Sequence, residues 1–180
     1  MKTINVKSEE FYTLIFPCKT FLLTVGGNII TVSWLMPVSK NPPILVTSIK
    51  PQRHSYKLLR KYMDFVVNVP PMDYLDDVFK CGVISGREVD KFKVTGFTKG
   101  KARKVNSCII NECIAFIECK VRDFIKAGDH DLVLGDVIEC YVKEGYYSNG
   151  IYVLGKAKPI FHLGGNKFTT TVDYVKEAKA

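Results

Sequence analysis

Between Lys50 and Lys61 stand Lys50, Arg53, Lys57, Arg60 and Lys61, with no acid among them. Just upstream, the twenty residues from Thr20 to Ser39 carry no charge, and Thr24, Thr31 and Ser33 dot them with hydroxyls. An apolar, hydroxyl-bearing wall beside a basic anion site is what a flat aromatic ligand with a phosphate tail requires. The cations also crowd the early turns of a helix expected after Pro51, where the macrodipole disfavours them. A phosphate at that helix start resolves the conflict, because N-terminal amides and adjacent Arg or Lys side chains favour an anion. The alternative is a solvated basic face.

Other chemistry is not signalled. No GxGxxG follows a strand, GFTKGKA lacks the Lys-Ser/Thr ending of a P-loop, and GVISG lacks the GxSxG spacing of a hydrolase elbow. His54, His130 and His162 are too widely spaced to suggest a metal site, and the six cysteines form no CxxC. Their usage, with no signal-like start and no Asn-x-Ser/Thr, points to a cytoplasmic protein with reduced thiols. Most cysteines read as small core residues, with Cys81 beside Gly82 the one closest to chemistry.

Apolar content of 47% with 24% charge suits a globular chain, and 180 residues suit one domain spanning 1–180. A net charge of +8 admits phosphorylated small molecules, nucleic acid or anionic lipid as partners. The uncharged run has the length of a membrane span, but Gly26-Gly27-Asn28 and Pro37 interrupt it. Two strands joined by a glycine hairpin fit better, and no membrane association is expected.

The elements that must carry these residues read as mainly β. Strands are expected over 20–25, 29–35, 44–49 and 64–69, with VSKNPP a loop and ILVTSI buried on both faces. An amphipathic helix follows Pro51, with Tyr56, Leu59, Tyr62 and Met63 on its apolar stripe. A second helix spans 73–85, capped by Asp73, before a charged loop at 85–92 and the basic loop KGKARK. AFIECKVRDF alternates cleanly, which puts Glu118 on a wet face, and LVLGDVIECYV returns beside it with Gly135 at a bulge or close approach.

The run NIITVSWLMPVSKNPPILVTSIKPQRHSY, followed by FVVNV and GDHDLVLGDV, resembles the flavin reductase-like family, in particular its flavoredoxin-type branch. That resemblance implies an FMN-binding split β-barrel with interposed helices. It implies that Thr31, Val32, Ser33 and Trp34 line the isoalloxazine, Trp34 standing where many relatives have Ser. Ser48, Ile49 and Lys50 fall at the ring edge, and Arg53, His54 and Ser55 at the phosphate. His130 of the GDH motif falls on the nicotinamide side, as the catalytic candidate. Phe92, in the loop that closes over the flavin in relatives, packs on the site, and Cys81, Ser85 and Arg87 also reach it. It implies a homodimer in which NAD(P)H reduces FMN and electrons pass to free flavin, ferric iron or a redox protein.

Two other functions stay open at this point. One is an electron carrier that holds FMN tightly and makes poor use of NAD(P)H. The other, ranked last, is a basic β-barrel that binds nucleic acid through exposed aromatics, for which Tyr56 and Tyr62 are the candidates. A flavoenzyme of this kind needs stacked rings and excluded water rather than its own acid–base group, which accounts for the missing motifs.

Overall fold

The structure, a computed structural model, describes residues 3–178. A 3-10 helix, Ser8–Leu14, opens the chain and buries none of its side chains. Short β1, Cys18–Lys19, precedes the uncharged hairpin of β2, Phe21–Val25, and β3, Asn28–Val32. Gly26 and Gly27 join them at φ 52° and 80°, the left-handed pair that a two-residue turn demands.

The strand expected over 29–35 ends at Val32, and β4, Leu35–Lys40, takes up the first three residues of the expected loop VSKNPP. Pro37 is tolerated because β4 is an edge strand, and the register slips between Pro37 and Ser39. β5, Pro43–Ile49, is not buried on both faces: Leu45, Thr47 and Ile49 face the core, while Ile44, Val46 and Ser48 are half-buried. α1, His54–Tyr62, buries Ser55, Tyr56 and Leu59. Tyr62 and Met63 leave the expected stripe, each 43% exposed. Met63 instead ends the helix in a left-handed turn, and the Tyr62 ring lies where a β-carbon on Gly26 would sit. Tyr56 is buried and bonded to Asp131 and Arg60, so it offers no exposed stacking face for a nucleic acid.

β6, Asp64–Val69, is wholly buried. α2, Leu75–Val83, starts after a 3-10 turn, and Asp73 does not cap it. α3, Lys91–Val94, is capped by Asp90. β7, Lys99–Gly100, and β8, Ile109–Ile110, pair across a loop that leads into the long hairpin of β9, Ala115–Ala127, and β10, His130–Val142. Gly135 lies at a register shift, where a β-carbon would come within 2.6 Å of Phe65. β11, Tyr147–Ser148, pairs with β12, Ile151–Tyr152; α4, Leu154–Ala157, then leads to β13, Ile160–Gly164, and β14, Lys167–Thr170.

The main sheet has the order β3-β2-β6-β9-β10-β5-β4. Its first and last strands are consecutive in the chain, joined only through Ser33 and Trp34. The Ser48 amide donates to the Trp34 carbonyl at 2.9 Å, so the sheet curls until its two edges belong to one segment. That closes a barrel, with a split where β3 diverges from the end of β5. Alternate residues of β2 point to different cores. Leu23 and Val25 fill the barrel with Phe65, Val67 and Val133, while Leu22 packs outside with Val66, Val78, Cys81 and Phe97. A strand covered on both faces has no place for charge, which explains the part of the uncharged run that forms β2 and β3.

The outer cover also corrects the reading of Glu118. This residue is fully buried rather than wet. Its carboxylate accepts from the amides of Arg103, Lys104 and Val105 and from the Tyr141 hydroxyl. Asp64 takes the amides of Asn106 and Ser107 in the same way. Burial pushes the Glu118 carboxyl up, but the hydrogen bonds from Arg103, Lys104, Tyr141 and Val105 outweigh it and hold it below its ordinary value.

Candidate functional site

A cleft follows the split in the barrel. At one end it is lined by Asn28, Gln52, Arg53, His54, Ser55, Ser85, Gly86, Arg87 and Lys91, enclosing about 640 Å³. At the other, about 720 Å³ is lined by Thr31, Val32, Ser33, Ser48, Ile49 and the rings of Tyr12, Phe16, Trp34, Phe79, His130, His162 and Phe168. Ile30, Lys50, Gly82, Val83 and Asp129 border both parts, so the cleft is continuous. Each volume falls within the usual range for a small-molecule site, about 300–1,000 Å³.

The basic end takes its shape from the start of α1. The residue before the helix is Arg53, which makes no side-chain cap, and no acid occupies the first turn. The Arg53 and Tyr56 amides are bonded to the Lys50 and Arg53 carbonyls, which leaves those of His54 and Ser55 to an external anion. Asn28 donates to the Ser55 hydroxyl at 2.7 Å. Arg87 donates to the Gln52 carbonyl at 2.6 Å, which draws loop 85–90 over this end. Lys91 is 5% exposed and donates to the Ile29 and Cys81 carbonyls at 2.7 and 2.6 Å. Its ammonium has a third proton to give. Among the described residues neither Arg53, Arg87 nor Lys91 pairs with a carboxylate. Burial, then Arg87, Lys91 and Lys57, push the His54 imidazole below its ordinary pKa.

The middle of the cleft is an exposed strand edge. β3 pairs only with β2, and its Ile29 carbonyl, bonded to Lys91, marks the outward side of the ladder. By alternation the next outward backbone groups belong to Thr31, facing the split. The hydroxyls proposed from sequence are otherwise engaged: Thr31 donates to the Val78 carbonyl at 2.5 Å, and Ser33 lies 3.3 Å from the Thr20 hydroxyl. The groups this edge leaves free are therefore mainly backbone ones rather than these side chains.

At the aromatic end, Asp129 bridges His130 and Lys50 of the cleft. His130 Nδ1 lies 2.7 Å from one carboxylate oxygen and Lys50 Nζ 2.9 Å from the other. The bonds from His130 and then Lys50 hold Asp129 down at about 2. Lys50 is thus an ion-paired cation, not a free one. Asp129 orients the imidazole and leaves Nε2 for the cleft. The His130 ring packs on Trp34 at 5.0 Å, and Trp34 on Tyr12 at 5.7 Å.

Residues 15–160 match the flavin reductase like domain family. The chain belongs to this family. An uncharacterized protein of Pyrococcus abyssi is 33% identical over 174 residues, covering 94% of this chain and 99% of the other. Among solved structures, a flavoredoxin from Methanosarcina acetivorans superposes with a TM-score of 0.87 at 24% identity, covering 99% of this chain and 96% of that one. An FMN-binding protein from Thermus thermophilus reaches 0.87 at 23% identity over 99% and 100% of the two chains. These similarities establish the mainly β split-barrel fold.

Within this member of the flavin reductase-like family, Thr31, Val32, Ser33, Trp34, Ser48, Ile49, Lys50, Arg53, His54, Ser55, Ser85, Arg87 and His130 are gathered around one cleft. Cys81 and Phe92 are not. Cys81 is fully buried in the outer core, and burial pushes its thiol up to about 11. Phe92 packs against the same core, with the Lys99 ammonium 4.8 Å above its ring. The family resemblance put both at the site, but their side chains pack into the outer core. Lys91, Asn28 and Asp129 were missed, as were Tyr12, His162 and Phe168. Asp129 could have been found in the GDH motif. No sequence signal marks a lysine that will be buried on two carbonyls.

Proposed function

We propose that the cleft binds FMN and that the protein is an NAD(P)H-dependent, flavin-reductase-like oxidoreductase. One observation carries the reading: a basic end whose arginines pair with no carboxylate runs without interruption into a ring-lined, mostly apolar end. Arg53, His54, Ser55, Arg87 and Lys91 would hold the phosphate. The exposed edge of β3 and the backbone of Ser48, Ile49 and Lys50 would meet the polar rim of the isoalloxazine. The flavin supplies the chemistry, taking hydride from a nicotinamide and passing electrons onward.

The protein's own part is to orient and to exclude water. Val32 and Ile49 give the ring apolar contact, and Tyr12 and Phe16 cover the outer end. His130, fixed by Asp129, presents one nitrogen where a nicotinamide carboxamide or an acceptor would lie. The acceptor is free flavin, ferric iron or a redox protein. Unpaired cysteines suit the cytoplasm, and Met36 and Val38, exposed on edge strand β4, suit pairing into a homodimer.

The second reading, a tight FMN electron carrier, draws on Trp34. Its ring, packed between His130 and Tyr12, narrows the side on which a nicotinamide would stack. An absorption spectrum before and after anaerobic NADH or NADPH separates the two. Flavin bands that bleach with NAD(P)H support the reductase. Bands that bleach only with dithionite support the carrier. No bands after FMN addition and removal of excess would reject tight FMN binding.

A further inference from the structure

Seven aromatic rings form an unbroken arc at the aromatic end of the cleft. His130 packs on Trp34 at 5.0 Å, Trp34 on Tyr12 at 5.7 Å, and Tyr12 on Phe16 at 5.6 Å. From Phe16 the arc continues to His162 at 5.1 Å, then to Phe168 at 4.8 Å and on to Phe79 at 6.1 Å. All seven border the same space of about 720 Å³. They come from the segment before β1, the β3–β4 link, α2, β10 and the β13–β14 hairpin, so the fold assembles the arc from distant parts of the chain.

Packing within the chain does not complete these rings. Trp34 and Phe79 are 39% and 37% exposed, and Tyr12, Phe16, His162 and Phe168 are only half-buried. Half-covered rings around one hollow suit an occupant that is flat and apolar. Charge points the same way. Arg53 lies where the two parts of the cleft meet, Lys50 is paired with Asp129, and exposed Glu9 disfavours an anion at the ring-lined end. His162 donates to the Gly165 carbonyl at 2.9 Å and offers the hollow its ring alone. Among the described residues, His130 Nε2, the Trp34 indole N–H and the Tyr12 hydroxyl make no hydrogen bond, and they are the polar groups the arc can give to a ligand.

We propose that this end takes an uncharged, planar quinone as a further electron acceptor. The faces of Trp34, Tyr12 and the phenylalanines carry the negative part of the ring quadrupole, which favours an electron-poor ring over an electron-rich one. A quinone is such a ring, and its carbonyl oxygens accept hydrogen bonds from indole, hydroxyl or imidazole donors. The inference rests on the flavin reading above for its electrons, but not for its binding site. One quinone oxygen receives a hydride from the reduced flavin. The other receives a proton, drawn from water by way of His130. The products are the hydroquinone and the oxidised flavin.

Trp34 is the single tryptophan of the chain, so its fluorescence reports occupancy of the arc. The probe is duroquinone, whose fully substituted ring leaves no open carbon to the exposed Cys140 thiol. In the flavin-free protein, quenching of Trp34 is expected to saturate with duroquinone. Phe79→Ala, which shortens the arc, should weaken that binding about fivefold. Phe168→Leu should weaken it in the same direction and keeps the test available if Phe79→Ala does not fold. In the FMN-loaded protein reduced with dithionite, duroquinone should restore the oxidised flavin bands at a rate that saturates with quinone and falls in the same variants. Quenching that rises linearly without saturation overturns the inference and leaves the flavin reading intact. Saturable binding that both variants leave unchanged overturns it as well. So does saturation by riboflavin but not by duroquinone, which would give this end to a second flavin. Saturation by duroquinone in a protein that binds no FMN rejects the flavin reading, and the reduction step falls with it.

Discussion

The back of the barrel and the basic end of the cleft both gather donors suited to an anion, but at the back they converge on buried carboxylates of the chain, whereas the cleft arginines pair with none. Behind the sheet, the amides of residues 103 through 107 converge on the buried carboxylates of Glu118 and Asp64. At the cleft, Glu88 and Asp129 also border the space, but among the described residues Arg53, Arg87 and Lys91 pair with neither. A donor set met by the chain holds a loop in place. A donor set left unmet is prepared for something from outside.

Substitutions should separate the two regions. The largest effect is expected for Glu118→Ala, which strands three amides and a tyrosine hydroxyl: about 3 kcal/mol of stability lost by denaturant unfolding. FMN affinity of the folded protein should be unchanged, and a large affinity loss would merge the two regions into one unit. Next comes Arg53→Ala, at an exposed residue. FMN should bind about tenfold more weakly while stability stays within about 0.5 kcal/mol. Unaltered affinity would remove Arg53 from the phosphate site. Ser55→Ala should also weaken binding, with some loss of stability because Asn28 loses its acceptor.

A smaller effect is expected for His130→Ala, with FMN still bound but the anaerobic NAD(P)H reduction rate reduced about tenfold. An identical rate across all donor concentrations would take His130 out of the site. The smallest effect concerns acid. The folded-state pKa of Glu118 lies below its unfolded value, so its stabilisation is complete above the unfolded pKa and is lost as pH falls through the folded one. Unfolding free energy should therefore decline on acidification, and the Glu118→Gln variant should show a shallower decline. Equal slopes would mean that other carboxylates dominate.

The basic end was legible in sequence because Lys50, Arg53, His54 and Ser55 are nearly contiguous and a helix start brings them together. The Gly26-Gly27 hairpin was legible because few other residues accept its backbone angles. Glu118 was not. Period-two alternation says which face a side chain takes, but not that a loop 13 to 15 residues upstream will return to cover that face. The aromatic end was only partly legible, since Tyr12, His162 and Phe168 reach it from the two extremes of the chain. The edge strand β4 was hidden behind Pro37, which the sheet accepts because one side of that strand makes no ladder.

The segment from Asn28 to Lys40 acts as a clasp on a hoop. It supplies both margins of the main sheet, and its midpoint, Ser33 and Trp34, is also a wall of the cleft. A ligand seated against the clasp would brace the entire hoop rather than one loop. Occupancy should then register as a rise in the melting temperature of the whole barrel that grows with ligand concentration.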